Sequence, residues 1–261
     1  MAGGSSYSDY EEVRGGAADA RTIVLVGKMG NGKSATGNSL IGREVFDSML
    51  SLGGVTATCK LETTVLDDGR ILNVVDTPGL FDPSVEPNVM AKEIANCINL
   101  AKDGIHAVLL VLTLGSRFTE EEGSTFESLC EIFGGKIADY MIVVFAHGDL
   151  LRNNLTLDRY LGSNCPEQLT KTLAMCGNRT AVFNNMTEDK VKIRKQREEL
   201  LSLVESVVSH NAAKPYTNDL FQQLKKHQIN ESRQKKCSEK KVGGEQFERL
   251  IEKVMLEFHQ L

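Results

Sequence analysis

The sequence predicts an α/β domain: a mostly parallel six-stranded sheet with one antiparallel edge strand, helices on both faces, and a helical extension at the C-terminal end. Three observations predict it. Apolar, β-branched runs alternate with segments of helical spacing from Arg21 to about His210, as in a parallel sheet flanked by helices. A glycine-rich turn stands between the first such run and the first helical segment. Two further runs are joined by Asp67-Asp68-Gly69-Arg70, a turn sequence suited to an antiparallel hairpin.

The elements follow in order. Residues 1–20 are Gly, Ser, Ala and acidic and are expected to be disordered, which leaves a domain at 21–210 and a helical extension at 211–261. Thr22–Val26 is the first strand; Cys59–Leu66 and Ile71–Val75 form the hairpin; Ala107–Thr113, Tyr140–Phe145 and Thr180–Phe183 are apolar enough to be covered on both faces. Helices are expected near Lys33–Ile41, Val89–Ala101, Glu120–Phe133, Pro166–Met175 and Glu188–Ser209. The third carries a capping box, Thr119-x-x-Glu122, and stops at Gly134-Gly135. In the last, Val191, Leu200, Leu201, Val204 and Val208 fall on one face. The extension has a short amphipathic pattern at Leu220, Phe221 and Leu224 and a second one from Phe247 to Phe258.

A net charge of −5 and a pI near 5.6 speak against nucleic acid as a partner, since that binding rests on a concentrated positive face. The six cysteines lack any C-x-x-C pair and read as reduced thiols of an intracellular protein, expected in the cytoplasm, and not as a disulfide frame or a zinc site. Nothing resembles a signal peptide, and no apolar run approaches the roughly 18 residues that span a bilayer. Residues 211–261 hold ten Lys and Arg against seven Asp and Glu. Such a tail reads first as a solvated helix; peripheral contact with an anionic intracellular membrane is the alternative.

Gly27-Lys28-Met29-Gly30-Asn31-Gly32-Lys33-Ser34 is a complete G-x-x-x-x-G-K-[ST] phosphate loop, directly behind a strand and ahead of a helix. Its glycines let successive N–H groups point at a phosphate, and the helix start adds its positive dipole end. Gly27 through Ser34, with Ala35 after them, are therefore candidate nucleotide contacts. Lys33 supplies charge to the β- and γ-phosphates, and the Ser34 hydroxyl is placed for Mg²⁺. Asp76-Thr77-Pro78-Gly79 follows the third strand; Asp76 would hold a water on Mg²⁺, and Gly79 would offer its N–H to a γ-phosphate. Between the two motifs lies a segment from Ser48 to Cys59, expected to order when a γ-phosphate is present and to give the Thr56 hydroxyl to Mg²⁺, with Thr58 as competitor.

Base recognition is expected at Phe145-Ala146-His147-Gly148-Asp149, where Asp149 could accept from guanine N1–H and the 2-amino group and His147 could stack on the purine. Asn184-Asn185 would touch the base from the other side, or form only an Asx turn. Leu80 follows Gly79, and an aliphatic side chain cannot orient the attacking water. Slow hydrolysis is therefore expected, unless Arg117 completes the site; the plainer reading makes Arg117 a surface partner of Glu120 to Glu122.

Several of these segments together resemble one family. They are Gly27–Ser34 continued by Ala35-Thr36-Gly37-Asn38-Ser39, the pair Val55-Thr56, Asp76-Thr77-Pro78-Gly79-Leu80-Phe81-Asp82, and the box from Gly104-Ile105-His106-Ala107 to Arg117-Phe118-Thr119-Glu120-Glu121-Glu122. They resemble the avirulence-induced, immunity-associated nucleotide-binding (GIMAP-like) GTPases, kin to the chloroplast import-receptor and septin GTPases. The resemblance spans about residues 20 to 227; Asp158-Arg159-Tyr160-Leu161 and Pro215 to Phe221 resemble its plant branch. It implies a Ras-like P-loop GTPase fold, GTP or GDP with Mg²⁺, and a homodimer or oligomer when GTP is bound. It also implies a role in stress or defence. By position it assigns Asp149 and Asn185 to the guanine, sets Ser48 near the nucleotide, and suggests that Arg117 acts across a dimer. The rival reading is a GTP-loaded oligomeric scaffold with little hydrolysis.

Overall fold

The structure is a computed structural model and describes residues 20–48, 56–80, 85–151, 155–162 and 165–224, the side chain of Glu121 excepted. The expected disorder of residues 1–19, the Gly53-Gly54-Val55 part of the switch segment, Phe81-Asp82, and everything after Leu224 lie outside those residues. That last stretch includes the second amphipathic pattern and Cys237.

Six strands form one sheet: β1 (Ala20–Val26), β2 (Lys60–Val65), β3 (Ile71–Asp76), β4 (Ala107–Thr113), β5 (Met141–Ala146) and β6 (Thr180–Val182). Their order is β2-β3-β1-β4-β5-β6. Only β2 runs antiparallel to its neighbour, paired with β3 from Lys60↔Asp76 to Val65↔Ile71, so the hairpin and the single antiparallel edge stand as expected. Ala20, placed by sequence in the N-terminal segment, already pairs with Ile71.

Alternation along β1 divides the core. Ile23 and Leu25 face one layer with α1 (Lys33–Ile41) and α6 (Lys190–His210). Val24 and Val26 face the other, with α2 (Pro87–Leu100), α3 (Glu120–Phe133) and α5 (Glu167–Met175). α2 begins two residues earlier than expected because Pro87, with no N–H to satisfy, fits a first helical position. The Thr119–Glu122 capping box of α3 is formed in both directions.

Two expectations need correction. Val191 is 77% exposed, because the first turns of α6 run past the sheet; the buried stripe is Leu200, Val204, Val207 and Val208. β6 is half-buried along its length, as an edge strand must be, and not covered on both faces. Sequence reasoning also passed over α4 (Leu157–Leu161) and a 3₁₀ segment at Gly135–Tyr140, both too short to show a periodicity.

Residues 211–224 extend the core. Tyr216 bridges Ile105 in antiparallel fashion, its hydroxyl donates to the Phe133 carbonyl, and its ring meets Tyr140 and Phe221 edge-on. Phe221 and Leu224 are buried beside it. No helix among the described residues is long and apolar enough to cross a membrane.

Candidate functional site

β1 lies where the strand order turns back on itself, with β3 on one side and β4 on the other. Crevices at the carboxyl ends of strands open at such points. The turn leaving β1 crosses the end of β4 so closely that a Cβ on Gly27 would sit 2.4 Å from the Val111 carbonyl oxygen. Only glycine fits there. Gly32, at φ 90°, takes the left-handed conformation that sends the chain into α1. Lys33 is 6% exposed, and its ammonium donates to the carbonyls of Gly27 (3.0 Å) and Lys28 (3.1 Å) across the loop. The charge is thus held over the concave side of the loop.

Beside it, the Ser34 hydroxyl donates to Asp76 Oδ2 at 2.7 Å, and the Thr56 hydroxyl approaches the same oxygen at 3.3 Å and Ser34 Oγ at 3.2 Å. Thr58 is exposed, so of the two candidate threonines it is Thr56 that meets the pair. Asp76 is 1% exposed, and its Oδ1 has no hydrogen-bond partner among the described residues. Burial pushes the Asp76 carboxyl above the usual carboxylate range, against the opposing pull of the Ser34 hydrogen bond and the Lys33 charge. Two hydroxyls and one buried carboxylate with an orphaned oxygen suit Mg²⁺, which takes few protein ligands and keeps waters and phosphate oxygens for the rest. No group of three His, Cys, Asp or Glu side chains able to hold a metal occurs among the described residues.

A cavity of about 820 Å³ opens from this corner, lined at the phosphate end by Gly30, Gly32, Lys33, Ser34, Ala35 and Thr56, with Pro78 and Gly79 opposite. Ser48 reaches its wall beside Asp47. The chain leading there is clamped by a residue that the sequence placed in the family resemblance but gave no role. Asn38 Oδ1 accepts from the N–H groups of Val45 (2.9 Å) and Phe46 (2.8 Å), and its amide donates to the Phe46 carbonyl (2.8 Å). An asparagine inside a helix gives no sign of such a role in the sequence.

The far end is lined by His147, Asn184, Asn185, Met186, Thr187 and Ile193. His147 stands in the left-handed region at φ 59°, its Nδ1 3.0 Å from the Thr113 hydroxyl. Asn185 is on the wall, yet its amide is bonded to α1, donating to Thr36 Oγ1 (3.1 Å) and accepting from Ser39 (2.9 Å). Asn184 forms the Asx turn, accepting from Met186 N.

Not every candidate reaches the cavity. Asp149 is exposed in a 3₁₀ turn, Gly148–Leu150, outside the lining. Arg117 is exposed and also outside it. Glu122, one of its expected surface partners, is instead 3% exposed and bonded to Asn31 and Thr119. Asn31 itself is buried with its side chain turned away from the cavity, towards Val111 and Glu122.

Residues 21–236 match the AIG1 family along their length. The chain belongs to the AIG1 family. Among its relatives in Arabidopsis thaliana, immune-associated nucleotide-binding protein 9 is 52% identical over 235 residues, which is 90% of this chain and 68% of that protein. Immune-associated nucleotide-binding protein 3 is 46% identical over 226 residues, 86% of this chain and 68% of that protein. The AIG1 chain thus spans about two thirds of the length of these relatives. Its fold is that of P-loop GTPases: it is similar to Toc33 from Arabidopsis thaliana in complex with GDP and Mg²⁺, with a TM-score of 0.56 at 21% identity over 72% of this chain and 85% of that one. Era in complex with MgGDPNP and a segment of 16S ribosomal RNA gives a TM-score of 0.52 at 15% identity, over 72% and 56%.

Proposed function

We propose that this AIG1 chain binds GTP and GDP with Mg²⁺ and hydrolyses GTP slowly, as a switch that self-associates in its GTP state. The convergence of Ser34, Thr56 and Asp76 beside Lys33, at the foot of an open cavity, carries the reading. When bound, Mg²⁺ neutralises charge on the β- and γ-phosphates. Ser34, Thr56 and Asp76 would hold it, Lys33 would leave the loop carbonyls for the phosphates, and Gly79 would present its N–H to the terminal phosphate. Thr56, at the end of the segment that starts at the Asn38 clamp, makes that segment responsive to the γ-phosphate. Asp149, exposed just outside the lining, would turn inward to accept from the guanine edge, while His147 and Asn185 line the base end.

The Arabidopsis relatives are named for nucleotide binding and immunity, which supports a role in stress or defence. Dimerization is described as important for the GTPase activity of Toc33, which supports self-association here. We place the protein in the cytoplasm, with any membrane contact peripheral and made through residues 211–261. Competition of labelled GTP by ATP tests the core of the proposal: GTP and GDP should compete equally well, ATP hardly at all. Displacement by ATP at comparable concentration would overturn the guanine assignment.

One observation favours a GTP-loaded oligomeric scaffold instead. Leu80, next to Gly79, is 4% exposed and packed in the core with α2, so this position gives no side chain to a water. Single-turnover hydrolysis at rising protein concentration separates the two readings.

A further inference from the structure

A glutamate at the third position of a capping box ordinarily serves its own helix and leaves its other oxygen in water. Glu122 is different. Its Oε2 accepts from Thr119 N at 3.0 Å, and its Oε1 accepts from the Asn31 side chain at 2.9 Å, 91 residues away along the chain. Both residues are almost fully buried. The second N–H of the same amide donates to the Val111 carbonyl at 3.0 Å, so both hydrogens of Asn31 are committed. Asn31 stands between Gly30 and Gly32, both in left-handed conformations, in the stretch whose N–H groups are to face phosphate.

From this geometry we infer that Glu122 is a positioning residue for nucleotide: it straps the phosphate loop to the start of α3 through Asn31 and so sets how tightly the loop holds a diphosphate. The inference rests on the nucleotide-binding reading above. Glycine-rich backbone has many conformations open to it, and two bonds from one buried side chain, one to β4 and one to α3, narrow them before any ligand arrives. Preorganisation of that kind appears as slow release. The strap also makes the Arg117 loop, which ends at Thr119, contiguous with the phosphate loop.

The choice of Glu over Gln tests the idea, since either serves a capping box. Glu122→Gln has a single carbonyl oxygen. If that oxygen takes the Thr119 N–H, the new amide faces the Asn31 amide, donor against donor; if it takes Asn31, the cap is lost. Release of a fluorescent GDP analogue should be faster in Glu122→Gln and in Asn31→Ala, on the order of tenfold. The double variant should release no faster than either single one. Thr119→Ala removes the hydroxyl that caps Glu122 N and touches Glu122 Oε2 at 3.5 Å, and leaves the Oε1 bond to Asn31 in place; it should lower the melting temperature and leave release at the wild-type rate. Amide exchange of residues 28–32 in nucleotide-free protein should quicken in Glu122→Gln and not in Thr119→Ala.

Wild-type release in Glu122→Gln, or equal acceleration by Thr119→Ala, would overturn the strap. Should Glu122→Gln fail to fold, Asn31→Ala decides alone, and wild-type release in that variant is the overturning result. A wild-type chain that binds no guanine nucleotide would defeat the reading underneath, while the exchange experiment, which needs no ligand, still judges the strap.

Discussion

Lys33 donates to two loop carbonyls beside the Asp76 carboxylate, and Asp76 keeps one oxygen without a hydrogen-bond partner among the described residues, in a nearly dry corner. The Asp76 arrangement is costly unless something else completes it, because a buried carboxylate oxygen left unpaired loses its hydration without return. Lys33→Ala should abolish GTP and GDP binding alike, through loss of the charge over the β-phosphate. Asp149→Asn should weaken GTP binding by about tenfold or more, since one of two carboxylate acceptors becomes a donor facing the guanine donors. Isothermal titration with each nucleotide reads both, and Asp149→Asn with unchanged affinity would remove Asp149 from base recognition. The phosphate-loop residues were legible in the sequence because their chemistry is local: backbone N–H groups, three glycines and Lys33 within eight positions. The Asn31–Glu122 bond was not, since it joins residues that only the β1–β4 pairing brings together.

At the scale of elements, α1 does more than start at the phosphate loop. Asn38 fixes Val45 and Phe46, Phe46 lies over Gly37, where a Cβ would come within 2.8 Å of its ring, and Thr36 and Ser39 hold Asn185. Asn38→Ala would strand two N–H groups and a carbonyl, a loss of about 2 kcal/mol, and should speed tryptic cleavage after Arg43 with the melting temperature lowered by a few degrees; cleavage at the wild-type rate would show that Phe46 alone suffices. β1 and β4 meet in a second polar contact, where Thr22 N donates to His106 Nδ1 at 3.0 Å. Burial first, and the Arg21 charge second, press the His106 imidazole from its ordinary 6.5 to about 4, with Glu205 opposing. The folded chain thus refuses a proton that the unfolded chain accepts. Stability should be full above pH 6.5 and fall as pH drops towards 4, with a slope below the roughly 1.4 kcal/mol per pH unit of one whole proton because the ring is only partly buried. Urea midpoints at pH 7 and pH 5 should differ more in wild type than in His106→Gln; an equal difference would release His106 from this role. The strands and long helices were readable from periodicity to within a residue or two. α4 was not, because five residues hold little more than one turn.

For the molecule as a whole, the proposed hydrolysis would need some other group to do what a polar side chain at Leu80 could have done. The cavity supplies Lys33, Gly79 and the corner of Ser34, Thr56 and Asp76, and Arg117 stands outside its lining, exposed on the surface. The loop is anchored at its start: Leu114 N donates to Ala146 O at 3.1 Å, the Tyr160 hydroxyl to Leu114 O at 2.9 Å, and Gly115 N to the Thr113 hydroxyl at 3.1 Å. An exposed arginine outside its own cavity would be open to a second molecule. A second copy that inserted Arg117 beside the γ-phosphate would supply the missing charge, and such arginines are worth about 10³- to 10⁵-fold in well-studied P-loop systems. Specific GTPase activity should then rise with protein concentration, and Arg117→Ala should flatten the rise while GTP affinity stays near wild type, because the residue touches nothing in its own cavity. Single-turnover rates measured across a hundredfold range of concentration check this. If the rate is independent of concentration, or if Arg117→Ala hydrolyses GTP as fast as wild type, no arginine crosses between copies and Arg117 remains a surface side chain of this domain.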